Sequence, residues 1–292
     1  MFESKTKITV KGRDLADQLP EGARKLLPHV HVNMPWSHLD QYLELVLALG
    51  MNLEIGLDAV QLGKNTLRDY ENISRKLHDR GCRISLHGPF WDLNPGSVDP
   101  LIREVSRSRL NQFVDVFQTF QPVQAVCHTG FDPRHHHGQQ DFWLSESLKV
   151  WEVLVKRAEG LQVPLLLENV WEHDPRLHRI LLDELPSAHF GFCFDVGHQH
   201  CFSRSSVDQW LEPLLVRTQE LHLHDNDGFH DLHLPIGEGS IDFHNLFDTI
   251  KKNSLKPLLT LEPHTREHLF RTFEGLWNIL GNDLPAFYDI SV

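Results

Sequence analysis

The chain has 292 residues, 40% hydrophobic and 23% charged, with a formal charge of −12. That balance fits a soluble globular protein, and the longest apolar runs are too short to cross a bilayer, so no membrane segment is expected. The acidic excess argues against an extended phosphate-binding surface, because duplex affinity rests on Lys and Arg neutralising phosphates, which makes nucleic acid the less favoured partner. The opening MFESKTKITVKGRD lacks the apolar stretch and small-residue cleavage site of a secretory signal, and the expected location is cytoplasmic. Cys82, Cys127, Cys193 and Cys201 show no CxxC spacing and read as reduced structural thiols.

Strand-like runs then alternate with helix-length segments, the pattern of βα units around a parallel sheet. In chain order the expected strands are 29–33 (HVHVN), 53–57 (LEIGL), 83–87 (RISLH), 125–128 (AVCH), 164–168 (PLLLE), 190–195 (FGFCFD), 220–224 (ELHLH) and 257–262 (PLLTLE). The near-continuous apolar character of LLL, FGFCF and LLTL suggests burial on both faces. Between them, Ser37, Asp99 and Asp174 followed by Pro175 mark helix starts, and Gly50 and Gly81 mark helix ends. No linker or low-complexity tract divides the chain. The fold class is therefore α/β, a single-domain (β/α)8 TIM barrel over residues 29–285, with a short N-terminal extension, 1–28, that closes the barrel bottom.

In such a barrel the reactive residues gather at the C-terminal strand ends. His87, His128, Glu168, Asp195, His222 and Glu262 all fall at or near those ends. Several carboxylates buried at one barrel mouth would repel one another unless a cation balances them. A mixture of carboxylate and imidazole without thiolate suits a divalent metal: Zn, Mn, Co or Fe(II). FDVGH adds His198 three residues after Asp195, with Gly197 to permit the turn. In the segment HLHDNDGFHDLHLPIGEGSIDF, Asp231 and His233 share a face if the chain is extended there, and a second metal pocket can be drawn. An alternative is a solvated loop with Asp231 capping a turn. GEG reads as a tight turn before a helix capped by Ser240 or Asp242. The run His135, His136 and His137 reads as a solvated loop outside the site. Trp36, Phe90, Trp91 and Trp171 are candidates for apolar pocket walls, and Glu172 and His224 for binding substrate hydroxyls. Lys64, Arg134, Arg204 and Arg266 are candidate phosphate contacts.

The ordered pieces LHGPFWDLNPGS, CHTG, LLLENVWE, FDVGH, HLHDNDG, DLHLPIGEGSIDF and LEPH resemble the xylose isomerase-like barrel superfamily, which includes sugar isomerases, sugar epimerases and endonuclease IV. The resemblance spans nearly the whole chain. In the epimerase branch one metal is held by a Glu, Asp, His, Glu set, which falls here on Glu168, Asp195, His222 and Glu262. Glu168 and Glu262 would then be the acid/base pair of a sugar or sugar-phosphate isomerase or epimerase working through a metal-stabilised enediolate. In the endonuclease branch nine ligands hold three zinc ions, and the additional positions fall on His87, His128, His198, Asp231 and His233. The resemblance therefore implies one divalent metal ion, with ligands for up to three. A multi-zinc phosphodiesterase acting on abasic-site DNA or a smaller phosphoester is the alternative, and a catalytically silent ligand-binding barrel is a further one. Against the endonuclease stand QHCFSRSS after strand six and Leu232, where that branch is typically basic; ENVWEHDP and FDVGH look more like the sugar enzymes.

Overall fold

The computed structural model describes residues 19–281, 283 and 287. Residues 1–18, most of the expected N-terminal extension, lie outside it, as does the expected domain end at 285. Eight parallel strands close in sequence order, β1 (Val30–Pro35), β2 (Asn52–Gly56), β3 (Ile84–His87), β4 (Ala125–His128), β5 (Leu165–Glu168), β6 (Phe190–Asp195), β7 (Thr218–Leu223) and β8 (Leu258–Leu261), with β1 pairing back onto β8. Helices connect them, as the expected (β/α)8 class requires. Among the described residues no helix is long and apolar enough to cross a membrane.

Strand bounds move by one or two residues from those expected. β1 runs on to Pro35, and His224 and Glu262 each lie one residue beyond their strands. Helix starts differ more. Ser37 does not cap; the helix Trp36–Leu49 begins before it, behind Pro35. The helix Arg176–Glu184 follows Pro175, and Asp174 instead accepts the Arg176 N–H at 3.0 Å. Asp99 caps the helix Pro100–Asp115 through the Leu101 N–H, as its sequence indicates. Gly50 and Gly81 both take positive φ (64° and 76°), which glycine adopts without a Cβ penalty.

The expected burial on both faces is met, with β5 and β6 buried along their whole length, but the two faces differ in chemistry across the barrel, because successive side chains alternate between them. Val30, Val32, Leu53, Ile55, Phe192 and Phe194 belong to one large apolar cluster shared with the helices. The alternate positions are mostly polar: His31, Asn33, Glu54, Ser85, Glu220, His222 and Thr260, with only Val126, Leu166 and Cys193 forming a small separate apolar cluster. Burying polar groups there is tolerable because they pair with one another. His31 Nδ1 lies 2.8 Å from Ser85 Oγ, Asn33 donates to Glu54 Oε1 at 2.8 Å, and Gln124 donates to Glu220 Oε2 at 2.6 Å.

His31 carries a testable cost. Burial first, then the Arg83 charge, pushes its imidazole down to about 3. The folded chain therefore keeps His31 neutral, whereas an unfolded chain protonates it below about 6.5. The stability this provides is complete above pH 6.5 and declines as the pH falls toward 3, by about 1.4 kcal/mol per pH unit. His31→Gln, which keeps a partner for Ser85, is expected to lose less stability than the wild type between pH 6.5 and 4. Urea midpoints across that range check it, and parallel curves would refute it.

Candidate metal centre

Glu168 ends β5 and lies at the middle of the barrel mouth, almost completely buried. Its Oε2 is 3.0 Å from His87 Nε2, 3.2 Å from His128 Nε2 and 3.6 Å from His222 Nδ1, and its Oε1 is 3.0 Å from His198 Nδ1. His222 Nδ1 also faces Glu262 Oε1 at 3.2 Å and Asp195 Oδ2 at 3.9 Å. Asp231 Oδ2 lies 3.5 Å from His198 Nε2 and 3.4 Å from His233 Nε2. The nine residues singled out in the sequence thus converge in one continuous cluster.

Local folding places these groups. Asp195 closes β6 and caps the short helix Val196–Phe202, its Oδ1 accepting the His198 N–H at 2.6 Å, so the carboxylate and imidazole are fixed together. Gly197 serves a different purpose from the turn expected of it: it lies within that helix, and a Cβ there would come within 2.0 Å of the His224 ring. The loop after β7 is organised by buried Asp225, which accepts the N–H groups of Asn226, Gly237, Gly239 and Ile241. Asp225 and Leu234 also form an antiparallel bridge, closing the segment that carries Asp231 and His233. That segment is not extended, since His233 has φ 47°, a left-handed conformation costing about 1–3 kcal/mol. The turn within it is capped by Asp227, which accepts the Phe229 and His230 N–H groups, not by Asp231. GEG supplies amides to Asp225, and Asp242 rather than Ser240 caps the helix Phe243–Lys252.

The donor set fits a divalent cation. Asp195 Oδ2 and His222 Nδ1 are buried without hydrogen-bond partners, yet both point toward the same carboxylate-lined space. Ligand atoms about 2.0–2.2 Å from a tetrahedral ion stand about 3.3–3.6 Å apart, close to the separations of His222 Nδ1 from Glu262 and Glu168. The electrostatics agree. Burial would lower His87, but Glu168 and then Glu54 hold it up at about 9. Burial likewise disfavours a charged His222 or His198, yet neighbouring acidic groups raise both well above the ordinary imidazole value. Burial would raise Glu168; His128 and His222 instead hold it well below the usual carboxylate range. The mouth therefore favours concentrated positive charge, which a metal supplies in one atom.

Sequence reasoning missed the layer beneath. Glu54 is fully buried, with Oε2 3.3 Å from His222 Nε2, and fixes which imidazole nitrogen turns toward the carboxylates. Glu220, pushed up to about 8 by burial and by Glu54, accepts from Thr260 Oγ1 at 2.5 Å and from Gln124. Their signal was a glutamate at an alternate position within LEIGL and TQELHL, where period two turns it inward.

The outlying candidates separate. Phe90 stacks on His128 at 4.4 Å, and Trp91 beside it is 73% exposed, so this loop offers the mouth an aromatic wall. Trp36 packs against Tyr70 and Phe120, and Trp171 against Phe202 under the Arg134 guanidinium. Glu172 is buried, accepting from Thr129 Oγ1 at 2.5 Å and the Val170 N–H at 2.8 Å; it braces two loops and does not present a free carboxylate to a hydroxyl. Arg134 is tied to Asp132, the Arg204 N–H to His173, and Arg266 lies against the Phe270 ring. In the histidine run, His135 is exposed, but His136 is buried and accepts from Asn94 Nδ2 while holding Asp132, correcting the solvated-loop reading.

A family model described as a xylose isomerase-like TIM barrel matches residues 53–278. The uncharacterized protein MJ1311 of Methanocaldococcus jannaschii is 25% identical over 195 residues, covering 64% of this chain and 67% of that relative. Among solved structures, the TTHB071 protein from Thermus thermophilus, soaked with ZnCl2, is similar with a TM-score of 0.71 and 28% identity, covering 87% of this chain and 98% of that one. A D-tagatose 3-epimerase-like protein has the same TM-score at 22% identity, over 80% and 90% of the two chains, a likeness of fold. Since the family model spans most of the strands and connecting helices as well as every residue of the mouth cluster, the chain belongs to the xylose isomerase-like TIM barrel family.

Proposed function

We propose that the protein is a divalent-metal-dependent isomerase or epimerase of a sugar or sugar phosphate. The observation that carries this reading is the unpartnered His222 Nδ1, faced by oxygens of Glu168, Asp195 and Glu262. These four residues would hold the ion. When bound, it polarises the oxygens of a hydroxy-ketone or hydroxy-aldehyde and so acidifies the adjoining C–H. Glu168 and Glu262 approach from β5 and β8, so one carboxylate can take the carbon-bound proton while the other returns it at a different face or carbon. Exposed Trp91 gives the apolar face of a sugar ring a surface to lie on. The name of the D-tagatose 3-epimerase-like fold neighbour supports the same substrate class.

The test is incubation of metal-replete protein in deuterated water with ketopentoses, ketohexoses and their phosphates. Deuterium at a carbon beside the carbonyl, read by NMR or mass spectrometry, is the expected result, and no incorporation across the panel refutes the reading. A second reading, hydrolysis of a phosphoester, draws on the convergence of His87, His128, His198, Asp231 and His233 beside the four-residue set. Release of product from abasic-site DNA or a simple phosphodiester, with no C–H exchange, would favour it.

A further inference from the structure

We propose that Asn169 is a positioning residue for the ion held by Glu168, Asp195, His222 and Glu262: its side-chain amide continues the ladder between β5 and β6 and aims Asp195 at the ion. The inference rests on the metal-dependent reading above, but not on the sugar chemistry. β5 and β6 pair as far as Glu168 opposite Cys193, whereas β6 runs two residues further, to Asp195. Past that last pair, the Asn169 side chain takes both main-chain groups of Asp195. Its Oδ1 accepts the Asp195 N–H at 2.9 Å, and its Nδ2 donates to the Asp195 carbonyl at 2.8 Å. Asn169 is 1% exposed and Asp195 is fully buried, so water is no substitute for these bonds. Closing such a pair takes a side chain with a donor and an acceptor side by side, and Asn is the amide with the shorter arm.

The clamp leaves one oxygen of Asp195 uncommitted. Oδ1 accepts the His198 N–H at 2.6 Å and lies 3.3 Å from His224 Nε2. Oδ2 is buried without a hydrogen-bond partner, 3.9 Å from His222 Nδ1. With the peptide groups held by Asn169 and Oδ1 held by the helix it caps, the carboxylate cannot turn without breaking these bonds, so Oδ2 stays directed at the other ion-holding groups. Asn169 also restrains the groups on either side. Its carbonyl accepts from His198 Nδ1 at 3.0 Å, and the preceding carbonyl, that of Glu168, accepts from buried His178 Nε2 at 3.1 Å. Two carboxylates from different strands are thereby fixed relative to each other before any ion arrives, which spares the ion the cost of ordering them. Partners that orient a metal ligand in this way are typically worth about 10–100-fold in affinity. An amide that served the fold alone would cost stability on removal and leave the bound ion as it was.

The test is titration of cobalt(II) into stripped wild type, Asn169→Ala and Asn52→Ala, followed by visible absorption. Asn52 is a matched control at the start of β2, the far end of the barrel: it is 3% exposed, its Nδ2 donates to the Pro28 and Val30 carbonyls, and its Oδ1 accepts the Arg83 N–H. The expected results are a cobalt dissociation constant about 10–100-fold higher in Asn169→Ala, an altered absorption band of the bound ion, and wild-type values for both in Asn52→Ala. Wild-type affinity and band in Asn169→Ala overturn the proposal, as does an equal loss of affinity in Asn52→Ala. If Asn169→Ala does not fold, diffraction from cobalt-loaded wild type decides: an ion on Asp195 Oδ2 with both amide bonds intact is expected, and an ion on Oδ1 or a released amide overturns the proposal. A wild type that takes up no cobalt on the four residues overturns the metal-dependent reading and this inference with it, whereas an unaffected variant overturns the inference alone.

Discussion

Glu168→Gln and Glu262→Gln are each expected to reduce the exchange of substrate C–H hydrogen with solvent by about 10²–10⁴-fold, the range associated with loss of a positioned general acid or base. The two should differ in what else they change. Glu168 is buried and lies within 3.2 Å of three imidazoles, so an amide at that position also disturbs His87, His128 and His198. Glu262 has 11% of its side chain exposed and faces His222 and His233, so its replacement should leave those three undisturbed. Circular dichroism and metal content, measured on the same samples, separate lost proton transfer from lost ion. Wild-type exchange in either variant would remove that carboxylate from the mechanism.

Metal removal is expected to have the largest effect on stability. A chelated chain must keep Glu168, Asp195, Glu262 and Asp231 at one mouth with only imidazolium groups to balance them. An ion supplied at about 1,000 times its dissociation constant stabilises the folded chain by about 4 kcal/mol per site. At about 2–4 °C per kcal/mol for a domain of this class, the melting temperature should rise by on the order of 10 °C when metal is restored. Differential scanning calorimetry of stripped and reloaded protein measures it. Asp195→Asn removes a charge from the ring and should shrink the gain, whereas an unchanged melting temperature on stripping would show that the cluster holds its charge without an ion. The gain should also diminish as the pH falls, because protonated imidazole cannot bind metal.

The barrel and its mouth were legible in the sequence because strand-end polar residues interrupt apolar runs at regular intervals. Asp195 and Glu168 needed no tertiary information to be noticed, since each closes the run of apolar residues that marks its strand. Glu54 and Glu220 were harder: within a short strand-like run an interior glutamate looks like noise, whereas alternation makes it the inward face. His224 sits one residue past β7, so its burial depends on Gly197 in another connection, a pairing that no local pattern encodes. His136 was misread for a related reason. Its partners Asn94 and Asp132 reach it from two loops, and a run of three histidines gives no hint of them.

The division of the strands into an apolar outward face and a polar inward face has a consequence for how such a chain can change over generations. Cohesion between sheet and helices resides in residues such as Phe192, Phe194 and Leu53, while the polar groups of the mouth and the layer beneath it include their alternate neighbours Asp195 and Glu54. A substitution at an inward position can exchange one donor for another without opening a void between sheet and helices. Selection can thus revise the reaction while the scaffold's tolerance to mutation stays largely intact, provided the inward hydrogen-bond partners change in step.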